Sequence, residues 1–307
     1  MGLLPMAVVT GLEVLKRDAF AALRGRRLGL LTHQAAVDQS FVSTLELFFE
    51  AGLDLKALFG PEHGFSGAAQ DMETVDAEKE SKAPVAVYSL YGEDEASLRP
   101  TAEMLDGLDL LVVDLFDIGA RYYTYAATMG YCLEAAAAAG ISVMVLDRPN
   151  PLGGRLWDIE GPARDPGFVS FVGAYNLPIR HSLTLGEIAK AVVKEAKLDV
   201  DLNVVAMNGW SREMDYGETG LPFVLPSPNM PTLDTAVVYP GQCLFEGTNL
   251  SEGRGTTRPF ELSGAPYLSG ARWAQEAKAH MSPGCVLRST DFLPTFQKHA
   301  GTLCGGV

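Results

Sequence analysis

An acid and a base stand side by side at Glu62 and His63, within LFGPEHGF (58–65), with glycines on either side at Gly60 and Gly64. A turn needs glycine and proline but not an adjacent carboxyl and imidazole. That pairing suits proton transfer, and the glycines let a ligand approach the backbone closely. The plainer reading is a solvated turn acid beside a structural histidine. Similar groups recur elsewhere. RLGLLTHQ carries Thr32, His33 and Gln34, LLVVDLFD carries Asp114 and Asp117, and VMVLDRPN carries Asp147, Arg148 and Asn150. After Gly119 the chain reads Arg121-Tyr122-Tyr123-Thr124-Tyr125, a guanidinium among phenols that suits a sugar or carboxylate pocket. Further on, SPNMPT (227–232) supplies Asn229. FEGTNLSEGRGTTRPFE (245–261) gathers Glu246, Thr248, Asn249, Ser251, Glu252 and Arg254, more hydroxyl, amide and guanidinium chemistry than a solvated loop requires.

The elements that position these groups follow from the hydrophobic pattern. Short apolar runs at 27–33, 55–60, 84–90, 109–117 and 141–147 alternate with helical spacing at 40–52 and a long Ala-rich stretch at 123–139 that stops at Gly140. Alternation of this kind predicts βα units around a mostly parallel sheet, an α/β fold, with strands apolar on both faces because helices cover them. In such sheets the carboxyl ends of the strands build the site. Those ends are where Glu62, His63, His33, Asp114 and Asp147 fall. Asp114 and Asp147 also have a plainer use as caps of the following helix or turn.

Loops rich in Pro and Gly from 150 to 183 suggest a domain boundary, dividing the chain into 1–160 and a smaller domain over 161–307. In the second half a helix is expected over 185–196 with a capped start at 182–187, a strand at 201–207, and another near TAVVYP (235–240) within the long loop tract 208–265. The final CGGV reads as the start of a further strand, so the second domain is expected to continue beyond it.

The 307 residues carry a net charge of −14, which repels nucleic acid and anionic membrane surfaces and leaves small or neutral ligands as partners. Four cysteines without a CxxC pair read as isolated buried thiols. The N-terminus lacks the basic flank of a signal peptide, so a cytoplasmic protein is the default, with export open if a leader has been removed. No apolar run reaches the length of a membrane span. No GxGxxG after the first strand, GxxxxGK[ST], HExxH or GxSxG is present, so no cofactor is expected. A metal held by His63, Asp114 and Asp147 has no diagnostic spacing.

Together LFGPEHGF, DLFDIGARYYTY, VLDRPNPLGG, LPSPNMPT and FEGTNLSEGRGTTRPFE resemble the NamZ-type exo-β-N-acetylmuramidases, in the same order and from about residue 10 onwards. The resemblance implies a Rossmann-like domain followed by a smaller α/β domain with the site in the cleft between them. It also implies removal of N-acetylmuramic acid from the non-reducing end of peptidoglycan fragments. By similarity Glu62 is the catalytic carboxylate, a general acid tuned by His63. The second group is left open among Asp114, Asp147, Glu246 and the substrate's own 2-acetamido group. Arg121, Arg148 and Arg254 are candidates for the lactyl carboxylate, Tyr122 or Tyr125 for stacking on the sugar, and Asn229, Thr248 and Asn249 for its hydroxyl or acetamido groups. Two rival readings are a metal-assisted hydrolase on the same fold and a muramyl-sugar-binding protein without catalysis.

Overall fold

Six short apolar runs pair into one sheet because each is bounded by turn residues and too short for a stable helix. The computed structural model describes residues 7–64, 85–92 and 94–307. Strands β1 (Leu28–Thr32), β2 (Leu55–Gly60), β3 (Ala86–Ser89), β4 (Leu110–Asp114), β5 (Ser142–Leu146) and β6 (Leu202–Val205) stand in the order β3-β2-β1-β4-β5-β6, and every pair is parallel. The inner strands β1 and β4 are buried along their whole length, whereas the edge strands β3 and β6 are partly exposed. The order reverses between β1 and β4, the switch point outside whose carboxyl ends open α/β sheets place their ligands.

Helices α1 (Gly11–Arg17), α2 (Thr44–Glu50), α3 (Ala102–Leu105), α4 (Tyr125–Ala139) and α5 (Leu185–Glu195) accompany the sheet. Helix α4 ends as expected at Gly140, whose φ of 69° is the left-handed conformation that closes a helix without a Cβ penalty. Helix α5 starts in a capping box between Thr184 and Glu187. The loops between 150 and 183 are tied down by charge. Asp158 pairs with Arg155 at 2.8 Å and Arg180 at 3.4 Å.

The chain divides into two compact units, Met1–Pro228 and Asn229–Val307, so the loops after residue 150 and strand β6 lie within the first. The second unit holds α6 (Leu233–Gln242), α7 (Gly270–Ala277) and an antiparallel sheet in the order β7-β9-β8, from Gly264–Ala265, Cys304–Gly306 and Thr290–Phe292. TAVVYP, expected as a strand, is the body of α6. Its β-branched run misleads. Thr232 caps the helix by accepting from the Thr235 amide, and Ala236, Tyr239 and Pro240 are buried at helical spacing while Val237 and Val238 face outward. Of the cysteines, expected to be buried, Cys132 and Cys304 are, but Cys285 is exposed. Among the described residues no helix is long and apolar enough to cross a membrane.

Candidate functional site

Strand β2 runs into a tight turn in which the Gly64 amide donates to the Pro61 carbonyl at 3.0 Å. Within it His63 has φ 72° and Gly64 φ 75°. The left-handed region costs a residue with a side chain about 1 kcal/mol, so the turn holds His63 in one imposed orientation. Glu62 and His63 are 7% and 9% exposed, which is not the state of a solvated turn acid. The Thr124 hydroxyl donates to Glu62 Oε2 at 2.7 Å. Thr124 is the N-cap of α4, yet its side chain makes no cap hydrogen bond because it serves Glu62 instead. The positive end of the helix dipole lies at the same place.

Around this pair the rings of Tyr123, Tyr125 and His33 pack edge to face. Tyr123 and Tyr125 are 4.8 Å apart, and Tyr125 and His33 4.7 Å. Tyr125 is fully buried and donates to the Pro226 carbonyl at 2.8 Å, so it is a wall of the core and not a face offered to a sugar. His33 Nε2 accepts from the Phe116 amide at 2.9 Å. Burial, with the charge of Arg148, pushes the His33 imidazole down to about 3. It is therefore neutral, with its proton on Nδ1.

Two of the predicted carboxylates are fully engaged. Asp114 accepts from Arg148 Nε at 2.5 Å and Nη2 at 2.9 Å and also from the Thr44 hydroxyl, while Arg148 Nη1 donates to the Val37 carbonyl at 3.0 Å. Asp147 accepts from Thr184 Oγ1 at 2.9 Å and from the Gly186 amide at 2.9 Å, which makes it a cap for α5. Its carboxyl is raised, chiefly by burial.

Asp117 differs from both. Its Oδ2 accepts from the Gly119 amide at 2.7 Å, and its Oδ1 is buried with no hydrogen-bond partner among the described residues. Gly119 has φ 86°, and a Cβ there would stand 2.1 Å from Asn150 Oδ1, so only glycine allows this turn. His181 Nε2 lies 3.8 Å from Asp117 Oδ2, and His181 Nδ1 accepts from the Leu183 amide at 3.1 Å. Burial pushes Asp117 up to about 7 and His181 down to about 4, so near neutrality the pair holds at most one charge. A raised carboxyl penalises the fold only when ionised. The cost is therefore absent below pH 4 and grows as pH rises toward 7. Asp117→Asn removes it, and thermal melts should show the variant gaining on the wild type across that window, by about 4 kcal/mol at pH 8. A constant difference from pH 4 to 8 would contradict this.

Arg121 Nη1 donates to the carbonyls of Pro162 at 2.8 Å and Leu177 at 2.6 Å. With Tyr122, Arg164 and Ser170 it lines an open cavity of 350 Å³. The remaining predicted residues lie in the second unit. There Arg254 pairs with Glu246 at 2.5 Å and Glu252 at 3.5 Å, and Lys298 donates to Glu252 at 3.0 Å. Thr248 and Asn249 are exposed. The Thr248 hydroxyl donates to the Phe245 carbonyl at 2.8 Å, and the Asn249 carbonyl accepts from His299 at 2.8 Å. Asn229 is buried.

Known families account for both units. The profile for "Exo-beta-N-acetylmuramidase NamZ, N-terminal" matches residues 28–234, and that for the C-terminal part matches 237–307. The chain belongs to the NamZ family. It is 49% identical over 301 residues to the peptidoglycan beta-N-acetylmuramidase NamZ of Bacillus subtilis (strain 168), covering 98% of this chain and 72% of that protein. Crystal structures of two DUF1343 family proteins from Bacteroides fragilis NCTC 9343 share the fold. One has a TM-score of 0.89 at 37% identity and the other 0.78 at 30%, each covering 98% of this chain, and 77% and 76% of the respective relative.

In this NamZ-family chain the first unit gathers Glu62, His63, His33, Asp114, Asp147, Arg148 and Tyr125 along the carboxyl ends of β1, β2, β4 and β5. Sequence reasoning gave Thr124, His181 and Asp117 no functional role. Asp117 carried the best available signal, since it follows a strand and precedes a glycine two residues on. Thr124 carried none, because a hydroxyl among tyrosines does not show which carboxylate it will meet.

Proposed function

We propose that this chain is an exo-acting glycoside hydrolase that releases N-acetylmuramic acid from the non-reducing end of peptidoglycan fragments, with Glu62 as its catalytic acid. The observation that carries the reading is the buried Glu62 carboxyl, held by the Thr124 hydroxyl at the N-terminus of α4 in a member of the NamZ family. Cleavage passes through an oxocarbenium-like transition state and needs a proton on the departing oxygen. The Thr124 hydroxyl fixes the Glu62 carboxyl in place as a positioned group for that proton transfer. His63, held at φ 72° in the same turn, orients the site.

The second carboxyl group is Asp117. Asp114 and Asp147 are committed to Arg148 and to the cap of α5, whereas Asp117 keeps one oxygen unpartnered among the described residues. Asp117 and Glu62 both bear on the Tyr123 phenol, where their charges add to the rise that burial causes.

Arg121 reads the lactyl carboxylate. Arg148 and Arg254 are each paired with carboxylates, while Arg121 donates to carbonyls and lines an open cavity beside a second guanidinium, Arg164. Replacing Arg121 with Ala should lower kcat/KM for a chromogenic N-acetylmuramic acid β-glycoside by about 10- to 100-fold, the worth of a hydrogen bond to a charged group. The residual rate on the matching N-acetylglucosamine glycoside, which lacks the lactyl group, should stay the same. Equal losses on both substrates would remove Arg121 from this role.

A further inference from the structure

A second cavity in the first unit belongs to none of these roles. It encloses 540 Å³ and is walled by Tyr91, Tyr131, Phe171 and Tyr175, with Arg99 and Glu134 among its polar groups. The aromatic rings form a row. Tyr91 and Phe171 lie 6.0 Å apart at 36°, and Phe171 and Tyr131 are stacked at 6.1 Å and 22°. Its polar groups are held rigidly. Arg99 sits 3.6 Å above the Tyr131 ring and pairs with Glu134, whose other oxygen accepts from the Tyr175 hydroxyl at 3.1 Å. Gly130 makes room for this arrangement, since a Cβ there would come within 2.0 Å of the Tyr175 hydroxyl.

Three observations tie the cavity to the site. The Leu90 amide donates to the Gly60 carbonyl at 2.8 Å, which puts Tyr91 beside the turn that carries Glu62. Tyr131 lies seven residues beyond Thr124 along α4, about 10 Å at the rise of an α-helix. Ser170 lines both this cavity and the one that holds Arg121.

We propose that the aromatic row is a binding site for neutral N-acetylglucosamine-containing sugars of the leaving chain, beyond the residue that carries the bond to be cut. The proposal rests on the glycosidase reading above. Rigid aromatic faces beside fixed hydrogen-bonding groups suit an amphipathic ring. Among the described lining residues Asp94, Glu95 and Glu134 stand against one cation, Arg99, which disfavours a carboxylate ligand, so the muramic residue is not the occupant. Arg99 already covers Tyr131 and neutralises Glu134, which leaves a neutral ring as the better fit than an added cation.

The test compares wild type with Tyr91→Ala and Phe171→Ala on two substrates: a chromogenic N-acetylmuramic acid β-glycoside with a short leaving group, and a tetrasaccharide that starts from N-acetylmuramic acid and alternates with N-acetylglucosamine. KM for the tetrasaccharide should rise roughly tenfold in each variant while the chromogenic substrate is turned over as before, which also shows that the variants fold. Equal effects on both substrates, or none on either, would overturn the proposal. Calorimetric titration with triacetylchitotriose separates this proposal from the activity. Binding weakened about tenfold by Tyr91→Ala supports the sugar site even if no hydrolysis occurs, and absence of binding by the wild type overturns it while leaving hydrolysis of the chromogenic substrate to stand. Saturable binding of tetramethylammonium that Tyr91→Ala abolishes would assign the row to a cation instead.

Discussion

Glu62→Gln is expected to lower kcat/KM for a β-linked N-acetylmuramic acid glycoside by about 10²- to 10⁴-fold, the usual contribution of a positioned proton donor, and to leave the fold intact. The amide has the shape of the carboxyl, and its oxygen still accepts from Thr124, whose donor lies 2.7 Å away. What it lacks is an acidic proton to place on the departing oxygen. The loss should fall on kcat with little change in KM, because an interaction made only in the transition state is removed. Initial rates on a substrate with a poor leaving group, measured beside a thermal melt, check this. A loss confined to KM would make Glu62 a binding group.

The largest loss of stability is expected at Arg148→Met. Asp114 is fully buried, and its compensation comes from the two guanidinium nitrogens at 2.5 and 2.9 Å and from the Thr44 hydroxyl. Removing one partner of such a pair strands the other's charge, at a cost of about 3–5 kcal/mol. Asp114 ends β4, directly opposite Thr32 of β1 at the point where the strand order reverses. The loss would therefore loosen both strand ends that carry the site, His33 included. Urea denaturation reads the change, and a shift under 1 kcal/mol would show that water or a rotated side chain replaces the guanidinium. Replacing both residues, Asp114→Leu with Arg148→Met, should recover part of the loss, since no buried charge then remains.

The sheet was legible because its strands are buried on both faces and read as continuous apolar runs, as in LGLLT and LLVVD. The capped start of α5 and the glycine stop of α4 were equally plain, since caps are local chemistry. Helix α6 was not legible. TAVVYP has the composition of a strand, and only the Thr232 cap and the burial of Ala236 and Tyr239 show otherwise. For the site, the rule that strand ends build the crevice pointed to Glu62, His63, His33 and Asp114, all of which lie buried at or just beyond the carboxyl ends of β1, β2 and β4. It could not separate a carboxylate with a free oxygen from one spent on an arginine. Asp114 and Asp117 are three residues apart in one motif, and their difference depends on Arg148, which is distant in sequence.

Product analysis of a defined glycan with N-acetylmuramic acid at its non-reducing end, followed in time for wild type and Glu62→Gln together, tests the central claim most directly. The account predicts free N-acetylmuramic acid as the first product from the wild type, a remaining chain that now begins with N-acetylglucosamine, and almost no product from the variant. Internal fragments as first products, or equal release by the variant, would contradict it.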